Sequence, residues 1–133
     1  RSNARIARID GGAAGSSGAL RVEVELAEQG VEGQPAWAGV FFSPGAAPMA
    51  PVDASAVSAL HLQVRSATPL QLLLFSGEGA PTVVPIAASA EWRSVEIDLA
   101  NLAGLDRSRL RGISLSATGS GAQRFDIDQI EVR

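Results

Sequence analysis

The stretch Ala19-Leu20-Arg21-Val22-Glu23-Val24-Glu25-Leu26 alternates apolar and charged side chains from Leu20 onward. Leu20, Val22, Val24 and Leu26 fall on one side of an extended chain, and Arg21, Glu23 and Glu25 on the other. A period of two is that of a strand with one face buried and the other in water. The pattern returns at Leu60, Leu62 and Val64, with His61, Gln63 and Arg65 opposite. It returns again at Ile113, Leu115 and Ala117, with Ser114 and Ser116 opposite.

Working outward, Trp37 to Phe42 and Leu70 to Phe75 are apolar on both faces and read as central strands. Arg5 to Ile9, Thr82 to Ile86, Trp92 to Leu99 and Arg124 to Val132 supply more. Pro85 has no amide hydrogen for a ladder and belongs at an edge or a bulge. In the last strand Phe125 and Ile127 share a parity that Ile130 and Val132 do not. One extra residue near Asp128 and Gln129 repairs the register, so a β-bulge is predicted there. Gly, Pro, Ser and Asp cluster over Gly11 to Gly18, Gly30 to Pro35, Ser43 to Pro51, Gly77 to Pro81 and Ala117 to Gly121, each a set of turn formers. Helix is confined to a short turn begun by Asp53 as N-cap and another between Asn101 and Leu110. About nine short strands separated by turns make an all-β sandwich or barrel, and residues 1–133 suit one domain.

Composition removes several functions. The net charge of −3 comes without a basic block, and phosphate neutralisation needs clustered cations, so nucleic acid is not an expected partner. Arg107, Arg109 and Arg111 come closest to a cluster and read as a solvated loop. The eleven basic residues are all Arg, in keeping with a GC-rich bacterial source. With no Cys, disulfides, thiolate metal sites and Cys nucleophiles are excluded. No apolar run reaches the ~20 residues of a membrane helix, so membrane insertion is not expected. The chain starts at Arg1 and carries no leader pattern, so it reads as a processed product or a piece of something longer. A periplasmic or extracellular bacterial location is expected.

A catalytic constellation is missing. The one His, His61, sits mid-strand, no Gly-x-Ser-x-Gly signature is present, and nothing links Ser16 or Ser17 to His61. Gly11-Gly12-Ala13-Ala14-Gly15 lacks the Lys-Ser/Thr end of a phosphate loop and leads into a strand. Asp126 with Asp128, and Glu96 with Asp98, are spaced as paired carboxylates, but two such groups on a sheet face read as solvated. Structural calcium, a hard cation that takes oxygen ligands, has Asp10 and Asp128 as its candidate ligands. Trp37 and Trp92 start strands beside apolar neighbours and read as core.

If the strands of His61 and Gln71 pair, then His61, Gln63 and Arg65 lie beside Gln71, Leu73 and Phe75. Leu73 and Phe75 fall on the side that faces solvent. An apolar patch with polar neighbours marks either contact with another surface or the cover of a loop. Together with Trp37, these residues form the candidate ligand or partner face.

The motifs Gly15-Ser16-Ser17-Gly18-Ala19-Leu20-Arg21-Val22, Trp37-Ala38-Gly39-Val40, Pro48-Met49-Ala50-Pro51-Val52-Asp53-Ala54-Ser55, Glu91-Trp92-Arg93-Ser94-Val95, Gly112-Ile113-Ser114-Leu115 and Phe125-Asp126-Ile127-Asp128-Gln129-Ile130 occur in that order. This series resembles the complex I intermediate-associated protein family, in the version found at the C-terminal end of bacterial amidohydrolase-like proteins. The resemblance implies a galactose-binding-like jelly roll related to carbohydrate-binding modules, with no catalytic residues. It also implies that Asp53 starts a turn and that Trp92 is structural. The expected role is a non-enzymatic accessory module that docks on a covalently linked or separate hydrolase domain of the amidohydrolase-like kind. A carbohydrate-binding module and an assembly chaperone are the alternatives.

Overall fold

In a computed structural model, residues 3–13, 16–27 and 36–132 are described, with the backbone alone for residues 3, 36 and 37. The expected turn from Gly30 to Pro35 lies outside them. Among the described residues, nine strands run in the order β1 (Asn3–Asp10), β2 (Gly18–Leu26), β3 (Ala36–Phe42), β4 (Ala59–Ser66), β5 (Leu70–Ser76), β6 (Thr82–Ile86), β7 (Ser89–Asp98), β8 (Leu110–Gly119) and β9 (Gly121–Val132). They form two antiparallel sheets, one ordered β1-β2-β9-β4-β7 and the other β3-β8-β5-β6. This is a jelly-roll β-sandwich.

The alternation read from the sequence builds its core. Val22, Val24 and Leu26 of β2, Leu60, Leu62 and Val64 of β4, and Phe125 and Ile127 of β9 point inward from one sheet. Ala38, Val40, Leu70, Leu72, Leu74 and Leu115 meet them from the other. Each large apolar side chain so enclosed contributes roughly 1.5–3 kcal/mol relative to exposure. Leu20 departs from its expected place: it lies at the rim of the core and is 36% exposed.

The bulge occurs where the parity break placed it. Gln63 pairs with Asp128 and His61 with Glu131, so Leu62 of β4 faces two residues of β9, Gln129 and Ile130. Gln129 absorbs the extra residue in the left-handed region, at φ 51°. Pro85 lies in β6, at the edge of its sheet, opposite Gln71. Asp53 accepts from the Ser55 amide at 3.0 Å, but the chain continues as a turn rather than a helix. The segment before β8 holds two 3-10 turns, Leu99–Asn101 and Arg107–Arg109, and the Asp106 side chain caps the second.

The Arg107–Arg111 segment is not a freely solvated loop. Arg107 donates to the carbonyls of Ser55 and Val57 at 3.0 and 2.7 Å. Arg111 donates to those of Met49 and Gly77 at 3.2 and 3.0 Å, and Arg109 bonds Asp106 at 3.0 Å. The guanidinium groups of Arg107 and Arg111 tie loops together by satisfying backbone carbonyls.

Candidate functional site

The single face expected from His61 to Phe75 divides into two. β4 and β5 are consecutive but belong to different sheets. His61, Gln63 and Arg65 therefore lie on the outside of the five-stranded sheet. Gln71, Leu73 and Phe75 lie on the outside of the four-stranded one, across the thickness of the sandwich. The connection of Ala67, Thr68 and Pro69 arches between the sheets instead of turning a hairpin. The Ser66 hydroxyl holds it, donating to the Thr68 carbonyl at 2.7 Å and accepting from the Thr68 amide at 3.3 Å.

Charge organises the outside of the five-stranded sheet. Arg21, Asp126 and Arg65 are cross-strand neighbours on β2, β9 and β4. Arg21 Nε and Nη2 donate to the two Asp126 oxygens at 2.8 and 3.2 Å. Arg65 Nε and Nη2 both donate to Asp126 Oδ2, at 3.0 and 2.8 Å. The Arg65 guanidinium also covers the Trp92 ring, 4.7 Å from its centroid, a cation–π contact. Trp92 thus stands outside the sandwich, half-buried, and not in the core as its neighbours implied. Asp126 is only 4% exposed. Burial pushes its carboxyl up, but the hydrogen bonds from Arg21 and Arg65 outweigh burial and hold it below the usual carboxylate range. The same bond raises Arg21. The paired-carboxylate reading of Asp126 fails here, because its oxygens are committed to two guanidiniums.

Further along this face, His61 Nε2 lies 2.6 Å from Ser94 Oγ. Its Nδ1 is buried with no hydrogen-bond partner among the described residues. Asp128 accepts from the Ala13 amide at 2.9 Å on Oδ2 and from the Gln129 amide at 2.9 Å on Oδ1. It thereby pins the loop after β1 to the bulge. No group of three or more His, Asp or Glu among the described residues is placed to hold a metal ion. The two candidate calcium ligands, Asp10 and Asp128, are not joined by a third such residue.

The outside of the four-stranded sheet differs in kind. Its cross-strand rows are Phe41, Ser114, Leu73 and Val83, then Gly39, Ser116, Gln71 and Pro85. Among the described residues, none of these outward positions carries a charge. Gly39, Gly112, Ser114 and Ser116 make a floor of small residues along the middle. Ser114 and Ser116 are buried there, their hydroxyls 2.9 Å apart. The Phe41 ring reaches over Gly112, where a Cβ would stand 2.1 Å from its Cζ. It meets Phe75 with centroids 5.8 Å apart and planes inclined at 56°. Phe41 is 43% and Val83 52% exposed. Trp37 pairs by backbone with Thr118 in this sheet, and its side chain lies outside the described residues. Phe41 and Val83 belong to this face although the candidate set omitted them. The parity of Trp37 to Phe42 held the signal for Phe41, but both faces of that run are apolar.

No protein-family model matches the sequence, and no curated protein matches it. Solved structures do. The family 11 carbohydrate-binding module of the cellulosomal cellulase Lic26A-Cel5E of Clostridium thermocellum superposes with a TM-score of 0.71 at 15% identity, covering 99% of this chain and 84% of that one. A family 11 module from Clostridium thermocellum in complex with a β-1,3-1,4-mixed-linked tetrasaccharide gives 0.66 at 14%, covering 99% and 85%. The structure of an exo-β-agarase gives 0.68 at 19%, covering 99% of this chain and 22% of that one. At such identities the likeness establishes the fold: a β-sandwich of the kind seen in carbohydrate-binding modules.

Proposed function

We propose that this chain is a non-catalytic carbohydrate-binding module that holds a neutral oligosaccharide on the outside of its four-stranded sheet. The observation that carries this reading is the contrast between the two outer faces. The five-stranded face is occupied by ion pairs, whereas the four-stranded face carries no charge among the described residues and combines a small-residue floor with exposed apolar and aromatic walls. Sugar rings offer an apolar face to such walls and hydroxyls to polar groups like Gln71. The fold shared with glycan-binding modules supports the same class of ligand.

The test is a two-dimensional NMR titration with a mixed-linked β-1,3-1,4-glucan tetrasaccharide up to millimolar concentration. Amides of β3, β5 and β8 are expected to shift, and Phe41→Ala to weaken binding several-fold, the ~1 kcal/mol of one aromatic contact. Shifts confined to β2, β4 and β9 would move the site to the other face. The absence of any shift, with β-galactan and agar oligosaccharides also silent, would remove the reading.

Docking on a hydrolase domain is a second reading. It is favoured by the agarase, in which this fold is matched within a longer chain, and by the apolar strip of exposed Phe41 and Val83 with half-buried Leu73 between them. A longer protein in which this strip stays in solvent would count against it.

A further inference from the structure

The bulge that corrects the register of β9 also opens the sandwich beside it. Ile127, ahead of the bulge, is 1% exposed, while Ile130, just past it, is 41% exposed. Bulges re-aim side chains in this way where a strand borders a binding region.

Two spaces share these two isoleucines, the inner one apolar and the outer one of mixed lining. The inner one, about 210 Å3, lies between the sheets and is walled by Leu60, Leu62, Leu72 and Ile113 together with Ile127 and Ile130. No polar side chain enters its wall. The outer one, about 310 Å3, opens over Leu20 and shares Ile127 and Ile130 with the first, with Arg8 on its rim.

Arg8 is the charged group on this rim that is free to act. It is exposed and, among the described residues, has no hydrogen-bond or ion-pair partner. Its guanidinium rests against Gly18, where a Cβ would come within 3.0 Å of Nε and Nη2. Asp128 lies on the same rim, but the Ala13 and Gln129 amides occupy its oxygens. Ile127 and Ile130 line both spaces, so an apolar chamber borders a crevice rimmed by an unpaired guanidinium, and the pair complements a ligand with an aliphatic body and one anionic end.

We infer that this crevice binds an amphipathic carboxylate of the fatty-acid class, with its tail between the sheets past Ile130 and its carboxylate on Arg8. The site is separate from the charge-free face of the four-stranded sheet and does not depend on it. Burial of each added methylene strengthens binding about fourfold until the chamber is full. The charge-assisted bond to Arg8 separates an acid from the matching alcohol by about tenfold.

The experiment is an NMR titration of the whole chain with hexanoate, octanoate and octanol, repeated on Arg8→Gln and Ile130→Ser. Both positions are exposed, so both variants are expected to fold, which their amide spectra without ligand check. Octanoate is expected to shift the amides of Leu20, Leu60, Ile127 and Ile130, on β2, β4 and β9, and to bind more tightly than hexanoate. Arg8→Gln is expected to weaken octanoate about tenfold while leaving octanol unchanged, and Ile130→Ser to weaken both. No shift in those amides at 5 millimolar octanoate, roughly the weakest binding worth calling specific, overturns the inference. Equal binding of octanoate and octanol that ignores Arg8→Gln overturns it too. The mixed-linked glucan, titrated into the same variants, reports on β3, β5 and β8 alone, so failure of one site is distinguishable from failure of the other.

Discussion

Arg65 binds Trp92 and Asp126 with one guanidinium: its carbon lies 4.7 Å from the ring centroid, while Nε and Nη2 donate to the carboxylate at 3.0 and 2.8 Å. Arg21 approaches the same carboxylate from the other side. Asp126 therefore bridges two cations that the sheet brings together. Asp126→Asn leaves the two guanidiniums facing each other across β9. It is expected to lower stability by about 1–3 kcal/mol, read as a lower urea midpoint at pH 7. Trp92 fluorescence should change with it as Arg65 leaves the ring.

The same carboxylate sets the acid limit. The native carboxyls of Asp126, Asp53 and Asp106 all lie below their ordinary value of 3.8. Asp126 reaches that state because its hydrogen bonds from Arg21 and Arg65 outweigh burial; Ser55 stabilises ionised Asp53, and Ser108 with Arg109 ionised Asp106. Between the native and unfolded values the unfolded chain holds the proton. This part of the stability is thus complete above an unfolded carboxyl value near ~4 and is lost as pH falls through the native values. Urea midpoints measured from pH 7 down to pH 2 should fall over that range, and less steeply in Asp126→Asn.

Two glycines on the charge-free face should respond differently to Ala. A Cβ at Gly39 would lie 2.1 Å from the Leu115 carbonyl oxygen and 2.6 Å from Ser116 Cα. Backbone cannot give way without breaking the β3–β8 ladder, so Gly39→Ala is expected to cost about 1–3 kcal/mol or more. At Gly112 the obstacle is the Phe41 ring, a side chain with room to swing outward. Gly112→Ala should lose under about 1.5 kcal/mol yet weaken glucan binding as much as Phe41→Ala does. Thermal unfolding and NMR titration of the two variants separate these effects.

Asp128 spends both oxygens on backbone amides, one of which belongs to the buried Ala13. Asp128→Ala should cost about 1–3 kcal/mol by stranding the Ala13 amide, and that amide should lose its hydrogen-exchange protection. Because the carboxylate is already satisfied, a chelator is expected to leave the melting temperature of the unmodified chain where it is.

A left-handed Gln129 costs about 1–2 kcal/mol relative to an unstrained residue, and Gly in a strand costs about 0.5–1 kcal/mol. Gln129→Gly should therefore leave stability unchanged or raise it by about 1 kcal/mol. A urea titration measures the sign.

Local pattern carried most of the fold. The alternations of β2, β4 and β8, the edge place of Pro85 and the bulge at Gln129 follow from parity and from the missing amide hydrogen of proline. Both act within a few residues of the chain. The division of the candidate face was not legible, because a three-residue link such as Ala67-Thr68-Pro69 can close a hairpin or arch to the other sheet. Nor was Asp126, whose partners lie 105 and 61 residues away in the chain and meet it through strand order alone.

By itself, then, the sequence determined the strands and their inward faces, since periodicity is a property of the chain. Only the tertiary structure decided which outward residues share a surface, why the ion pairs of Asp126 lie on the five-stranded face, and where the sandwich opens beside Ile130. Those follow from sheet order and cross-strand register, which depend on how distant strands jointly bury their apolar faces and not on any single segment.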